Sequence, residues 1–265
     1  VRRIELIGAS GVGKTTLYNK LGSIPRKNRC YLTLKDAYKT AALNCEIPVR
    51  QVQLFFYRQL LKSGMAKNKE RGLGKIILME HLNGETDQRS KYNAFSVSFD
   101  ILYHYLKDEP GPFYVKKRMS RFLRTIDDYL LLDQGLSETE PVLVDEGMTT
   151  HHYPGITEYG FQTYSTEQLK SDPVFSPSGI IYCVQSPEII FEQAIRRREN
   201  GTKTFSHGRL NNEELRRHIE KNTLKDERKI NSYRKIGVPV LEINTGEKFE
   251  HLKEKINAFA TRVTS

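Results

Sequence analysis

Residues 8–16 of the chain read Gly8-Ala9-Ser10-Gly11-Val12-Gly13-Lys14-Thr15-Thr16. This stretch satisfies G-x-x-x-x-G-K-[ST] at every defined position. A short apolar run, Ile4 to Ile7, leads into it. Thr15 to Leu21 reads as a helix, with Leu17 and Leu21 at i, i+4. A strand, a glycine-rich turn and a helix in that order are the setting a phosphate-binding loop requires. Glycines let the backbone wrap tightly enough for several N–H groups to converge on one phosphate. The N-terminus of the helix adds its partial positive charge. Gly8, Ser10, Gly11, Val12, Gly13, Lys14, Thr15 and Thr16 are therefore the expected nucleotide-binding residues. Lys14 would reach the β- and γ-phosphates, and the Thr15 hydroxyl would sit on Mg²⁺.

A second signal lies well downstream. Pro141-Val142-Leu143-Val144-Asp145-Glu146-Gly147 is a buried-strand run that ends in acids. An enzyme built on such a loop needs a carboxylate at a strand end to hold Mg²⁺. Asp145 is the expected metal partner, beside Thr15. Glu146 follows it, where hydrolytic relatives of such loops keep a base.

Between these two signals the chain reads as mostly helical from Pro48 to about residue 133. Val49, Val52, Phe55, Phe56 and Leu60 follow helical spacing, as do Val115, Met119, Phe122, Ile126 and Leu130. The opposite face of the second set carries Lys116, Lys117, Arg118, Arg121 and Arg124. Arg29–Leu34 reads as a second strand that ends at Lys35-Asp36. Lys67–Lys75, with Gly72 and Gly74, reads as a loop, and so does Met148–Gly160. Gly179–Val184 is a further strand. Ser186-Pro187-Glu188 has the form of a helix start, with Ser186 as cap. That helix runs into Arg196, Arg197 and Arg198. A long polar helix begins near Asn211, Val240-Leu241-Glu242-Ile243 is the last strand, and Phe249 to Val263 closes the chain as a helix. Strands alternating with helices imply an α/β fold, a parallel sheet with helices on both faces.

The bulk numbers set limits. At 265 residues, 38% of them hydrophobic and 28% charged, the chain can bury a sizeable core as one domain spanning 1–265. No apolar run approaches the roughly 18–20 residues of a membrane span. Val1 to Glu5 leads into no apolar signal core, and three cysteines without a C-x-x-C pair argue for a reducing compartment, so a cytoplasmic protein is expected. A net charge of +10 favours anionic partners: nucleotides, phosphorylated metabolites or nucleic acid.

Taken together, these residues resemble the P-loop kinases of the nucleoside and nucleotide kinase group, with thymidylate kinase and deoxynucleoside kinases nearest in layout. The loop has their G-x-x-G-x-G-K-T-T form. Asp145-Glu146-Gly147 stands where that group carries an Asp-Arg motif, so a phosphate-clamping arginine is missing there. Tyr182-Cys183-Val184-Gln185-Ser186-Pro187-Glu188 through Arg196-Arg197-Arg198 resembles their strand, Pro-Glu turn and arginine-bearing lid. Gly237 to Gly246 resembles their last strand and adenine-flanking loop. The resemblance implies a three-layer P-loop NTPase fold with a five-stranded parallel sheet, a helical acceptor-side insert at 48–135 and a lid at 196–210. It implies Mg²⁺ and ATP as cofactors, because Asn244-Thr245-Gly246-Glu247 is not a guanine signature. It implies transfer of the γ-phosphoryl group to a hydroxyl or phosphate of a small molecule, a nucleoside or nucleotide first.

Arg196, Arg197 and Arg209 would then close on the transferring group. Asp36 or Glu146 would serve as the base toward the acceptor. Two alternatives share the same loop. One is a kinase acting on a hydroxymethylated base or an end within nucleic acid, suggested by the basic runs. The other is an ATP-hydrolysing switch with Glu146 activating water.

Overall fold

The computed structural model describes residues 1–45, 52–63, 65, 69–83, 92–107, 111–136, 140–145, 147–148, 154–201 and 210–264. Five strands form one sheet: β1 (Arg3–Ile7), β2 (Leu32–Thr33), β3 (Val142–Asp145), β4 (Gly179–Val184) and β5 (Val240–Asn244). Their spatial order is β2-β3-β1-β4-β5, and every pairing is parallel. The expected α/β fold with a five-stranded parallel sheet and flanking helices is therefore present. Parallel strands are joined only by crossovers, so helices must cover both faces.

One face carries Ile4 and Leu6 of β1, Leu143, Ile181, Cys183 and Ile243. It is covered by α1 (Lys14–Ser23), α9 (Pro187–Glu199), the first half of α10 (Asn212–Lys235) and α11 (Phe249–Arg262). The other face carries Ile7, Ile180 and Tyr182. It is covered by α5 (Ser96–Leu106), α6 (Pro112–Gly135), α7 (Pro154–Thr163), α8 (Thr166–Ser171) and the second half of α10. A third core lies at the β2 edge, where α2 (Leu34–Asn44), α3 (Val52–Ser63), α4 (Glu70–Asn83) and α6 meet.

Local chemistry explains the helix starts. Ser186 caps α9 by accepting from the Ile189 amide at 3.3 Å, with Pro187 in the first turn. Asn211 and Glu214 form a reciprocal capping box at the head of α10. The helix through Val115–Leu130 begins at Pro112 and buries Phe122, Ile126 and Leu130.

Three local expectations are corrected. Residues Arg29–Leu34 are not a six-residue strand: β2 holds Leu32 and Thr33 alone, and α2 follows at once. Thr33 and Asp36 make a capping box that turns the chain into helix there. Lys67–Lys75 is not a loop from Glu70 onward, because α4 starts at that residue and runs through both glycines. Gly74 explains why this helix tolerates them: a β-carbon there would stand 2.5 Å from the Tyr38 carbonyl oxygen, so glycine lets α4 press onto α2. The helical layer between β2 and β3 thus begins at Leu34, upstream of the expected insert. Finally, Met148–Gly160 is helical from Pro154.

The central strand buries two charges. Arg3 and Glu5 are 5% and 0% exposed, project onto the α6 side of the sheet and form an ion pair. Arg3 also donates to the Pro173 carbonyl at 2.6 Å and lies over the Tyr129 ring. A buried pair is tolerated only when its geometry and remaining hydrogen bonds are satisfied. Gly147 is fitted against this pair: a β-carbon there would stand 2.1 Å from the Glu5 carboxyl carbon. Gly147→Ala must push the buried Glu5 side chain aside, at a cost of about 1–3 kcal/mol. A urea unfolding midpoint that stays at the wild-type value would contradict this packing.

Candidate functional site

The Gly8–Thr16 loop leaves β1 at the carboxyl end of the sheet's central strand. In open parallel sheets ligands bind beyond that edge, where strand order reverses on either side of one strand. Gly8 sits at φ +151°, and a β-carbon on it would stand 2.3 Å from the Cys183 carbonyl oxygen of β4. Only glycine can take the chain across β4 at this point.

The helix α1 then starts at Lys14, with Gly13 as its left-handed N-cap residue and no side chain capping it. The Val12 amide bonds the Ala9 carbonyl at 3.2 Å. Among the described residues, the amides of Gly11, Gly13 and Lys14 meet no acceptor of the chain. Lys14 is 5% exposed, and its Nζ folds back onto the carbonyls of Gly8 at 2.5 Å and Ala9 at 3.1 Å. An uncapped helix N-terminus, open amides and a buried ammonium make one concave, electropositive cup. Thr15 and Thr16 are exposed at its rim, Ser10, Gly11 and Gly13 are half-buried, and Val12 is buried beneath it.

Asp145 ends β3 in register with Leu6 of β1, one residue short of the loop. The thiol of Cys183, on the other side of β1, reports both charges. Burial pushes it up to about 12, Lys14 pulls it down and Asp145 pushes it up. Lys14 and Asp145 therefore both lie within electrostatic reach of Cys183 at the carboxyl end of the sheet. Glu146 and Arg209, two of the expected catalytic residues, lie outside the described residues, as does most of the expected lid.

Asp36 stands at the N-terminus of α2. Its Oδ2 accepts from the Thr33 amide at 2.9 Å and from the Arg29 guanidinium at 2.8 Å. This position has a complete structural explanation as a helix cap, independent of any chemistry. Tyr18 of α1 links it to the rest. Burial raises its phenol, the Leu34 amide and Arg71 lower it, and Asp145 and Asp36 both raise it, so all three charges act on this hydroxyl. The Tyr18 hydroxyl also accepts from the Leu34 amide at 3.2 Å. Sequence reasoning missed Tyr18. Its spacing from Leu17 and Leu21 placed it off the apolar stripe of α1, which was the available signal.

One cleft is lined by the loop, and a second runs along β3 from Val142 to Asp145. The first, about 310 Å³, is lined by Val12, Gly13, Lys20, Arg197, Thr245 and Phe249, among others. The Thr245 hydroxyl donates to the Val12 carbonyl at 2.6 Å and ties the segment after β5 to the loop. The three consecutive arginines divide here. Arg197 lines this cleft. Arg196 is exposed and stands 3.8 Å from Glu192, one turn back on the same helix. Arg198 donates to the Leu210 carbonyl at 3.0 Å and to Asn212 at 3.1 Å, which fixes the start of α10.

The second cleft, about 270 Å³, lies on the Asp145 side. Its lining includes Arg71, Arg124, Asp128, Tyr129, Asp145 and Met148. Arg71 and Lys75 of α4 both pair with Asp128 of α6, the former at 3.8 Å. Arg71 was hidden from sequence reasoning by the reading of its segment as a loop. Arg124 belongs to the basic face of α6, of which Lys116, Lys117 and Arg121 are exposed and Arg118 is half-buried.

Among the described residues, no group of three or more His, Cys, Asp or Glu stands together as a metal site. No described helix is long and apolar enough to cross a membrane. No protein-family model matches the chain, and no curated protein sequence matches it.

Proposed function

We propose that the chain is a phosphotransferase of the P-loop kind, which passes the γ-phosphoryl group of Mg-ATP to a hydroxyl or phosphate of a small molecule. A nucleoside or nucleotide is the first candidate for the acceptor. The observation that carries this reading is the electropositive cup at the end of β1, with Lys14 folded over it and Asp145 on the adjacent strand. The strand order, with the loop strand between β3 and β4, supports it as well.

The donor set fits the group it would hold. Open amides and an uncapped helix start suit a polyphosphate. A threonine hydroxyl and a carboxylate are hard oxygen ligands, suited to Mg²⁺, which takes its remaining ligands from phosphate and water. Thr15 and Asp145 would hold the cation, and it would neutralise charge on the β- and γ-oxygens. Lys14 would leave the Gly8 and Ala9 carbonyls and turn to the phosphates. Arg197 would bind from the first cleft, where Thr245 and Phe249 offer a wall for the nucleoside end. The second cleft would take the acceptor. Arg71 and Arg124 there favour an acceptor with an anionic group, and Tyr129 offers it a ring edge. The missing arginine after Asp145 is answered by Arg71, which reaches the same region from α4.

An acceptor within nucleic acid is the second reading. The exposed cations Lys116, Lys117 and Arg121, on the same helix as Arg124, favour it. A screen for ³²P transfer from labelled ATP to nucleosides, nucleotides, sugars and modified DNA separates the readings. The proposal expects transfer to a small acceptor, falling on the order of 10²–10³-fold in Lys14→Ala. Undiminished transfer by Lys14→Ala would overturn it, and hydrolysis indifferent to every acceptor would favour a switch. Transfer to DNA alone, steeply weakened by salt, would select the second reading.

Asp36 and Glu146 both remain as the base. Asp36→Asn keeps the cap's acceptor oxygen but removes the charge. If Asp36 is the base, kcat of the folded variant falls about 10²-fold or more, and the melting temperature falls as well, because the buried Arg29 loses its charged partner. A kcat kept near the wild-type value would assign the role to Glu146.

A further inference from the structure

A concentration of positive charge in a cavity lies away from the Gly8 loop. A cavity of about 420 Å³ opens between α7, α8 and the second half of α10. Lys225, Arg228, Lys229 and Lys235 line one wall, and Phe161 and Tyr164 line the other. The spacing 225, 228/229, 232, 235 keeps these positions on one face of the helix. From Lys225 to Lys235 the rail is about 15 Å long.

Its location sets it apart from the site at the carboxyl edge. Lys235 and Ile236 come just before β5, whose first residue is Val240. Leu169, also in the lining, precedes Pro173, whose carbonyl holds Arg3 at the start of β1. The cavity therefore sits toward the amino ends of the strands, opposite the loop.

The charge balance is one-sided. No carboxylate lines the cavity among the described residues. Among those residues no ion pair involves Lys225, Arg228 or Lys235. The Lys229 side chain is only 9% exposed, and its neighbour Asp226 stands 3.9 Å away. Burial pushes the Lys229 ammonium below its usual range, against the opposing pull of Asp226 and Glu5. A cation held in a low-dielectric wall is stabilised by an anion in front of it.

We infer that this cavity is a second binding site, which takes a small molecule bearing two or more phosphate groups. Lys225 stands about one helical turn from Arg228 and Lys229, and Lys235 lies about two turns further, so that phosphates at different ends of one ligand meet different side chains. Lys and Arg together supply point-charge and forked contacts to phosphate oxygens. The three-helix enclosure suits a compact ligand, whereas a polymer backbone is better served by an open stripe. Helix α10 starts at the end of the arginine segment and finishes in this cavity.

Inorganic tripolyphosphate is the probe, titrated calorimetrically at low salt into the Lys14→Ala chain so that the loop does not contribute. The expected result is one binding event, weakened about tenfold or more by Lys225→Glu with Arg228→Glu, as for the loss of charge-assisted contacts. Lys225→Arg with Arg228→Lys keeps the charge and is expected to retain binding, which separates charge loss from misfolding. Absence of binding in Lys14→Ala, or binding indifferent to charge reversal, would overturn the inference. So would a single-stranded oligonucleotide that binds this rail more tightly than tripolyphosphate, which would make it a polymer surface. None of these outcomes depends on whether the chain transfers phosphate.

Discussion

The carboxyl edge of the sheet depends on one close approach. Position 8 must cross the Cys183 carbonyl with no room for a β-carbon. Because the sheet is parallel and covered on both faces, β1 has no sideways exit. The chain has to leave at the strand end, turn within six residues and start α1 over the core formed by Leu17 and Leu21. That geometry leaves the helix N-terminus uncapped and its amides pointing outward. Lys14 meets the negative ends of the same turn's carbonyls and stays buried there. The electropositive cup is thus a by-product of close packing as much as of sequence motif.

The neighbouring strands supply the opposite charge. Register sets Asp145 beside Leu6, and the buried Glu5 fixes the chain just after it by fitting against Gly147. Backbone pairing holds the acid at the end of β3, and the turn after β1 holds the ammonium against its own carbonyls at the start of α1. The helical layer adds Arg71, Arg124 and Asp128 from α4 and α6, whose approach to α2 relies on Gly74 and Gly135. Charge is concentrated where helices and strand ends meet, and apolar side chains fill the rest.

Much of this was legible in the sequence because it rests on short-range rules. The strand before Gly8, the cap at Ser186, the long helix after Asn211 and the α/β alternation all follow from local pattern. Other features depend on tertiary contacts that no local pattern encodes. Thr33 and Asp36 start a helix where strand formers Tyr31-Leu32-Thr33-Leu34 suggested extended chain, because the capping box outweighs propensity. Glycines at 72 and 74 signalled a loop, but Gly74 serves helix packing. Arg3 and Glu5 read as ordinary flanking charges and prove to be a buried pair. Asp172, buried and bonded to the Ser98 amide at 2.8 Å and hydroxyl at 2.7 Å, gave no signal at all. The second cleft was the least legible part, since its lining comes from five separate segments.

The cup at the end of β1 is proposed to receive a triphosphate. Backbone amide NMR tests it at the atoms concerned. On titration with ATP and Mg²⁺, the amides of Gly11, Gly13, Lys14 and Thr15 should shift strongly and saturate together, with Asp145 moving only when Mg²⁺ is present. Amides of the loop that stay in place while resonances elsewhere respond to ATP would contradict the account.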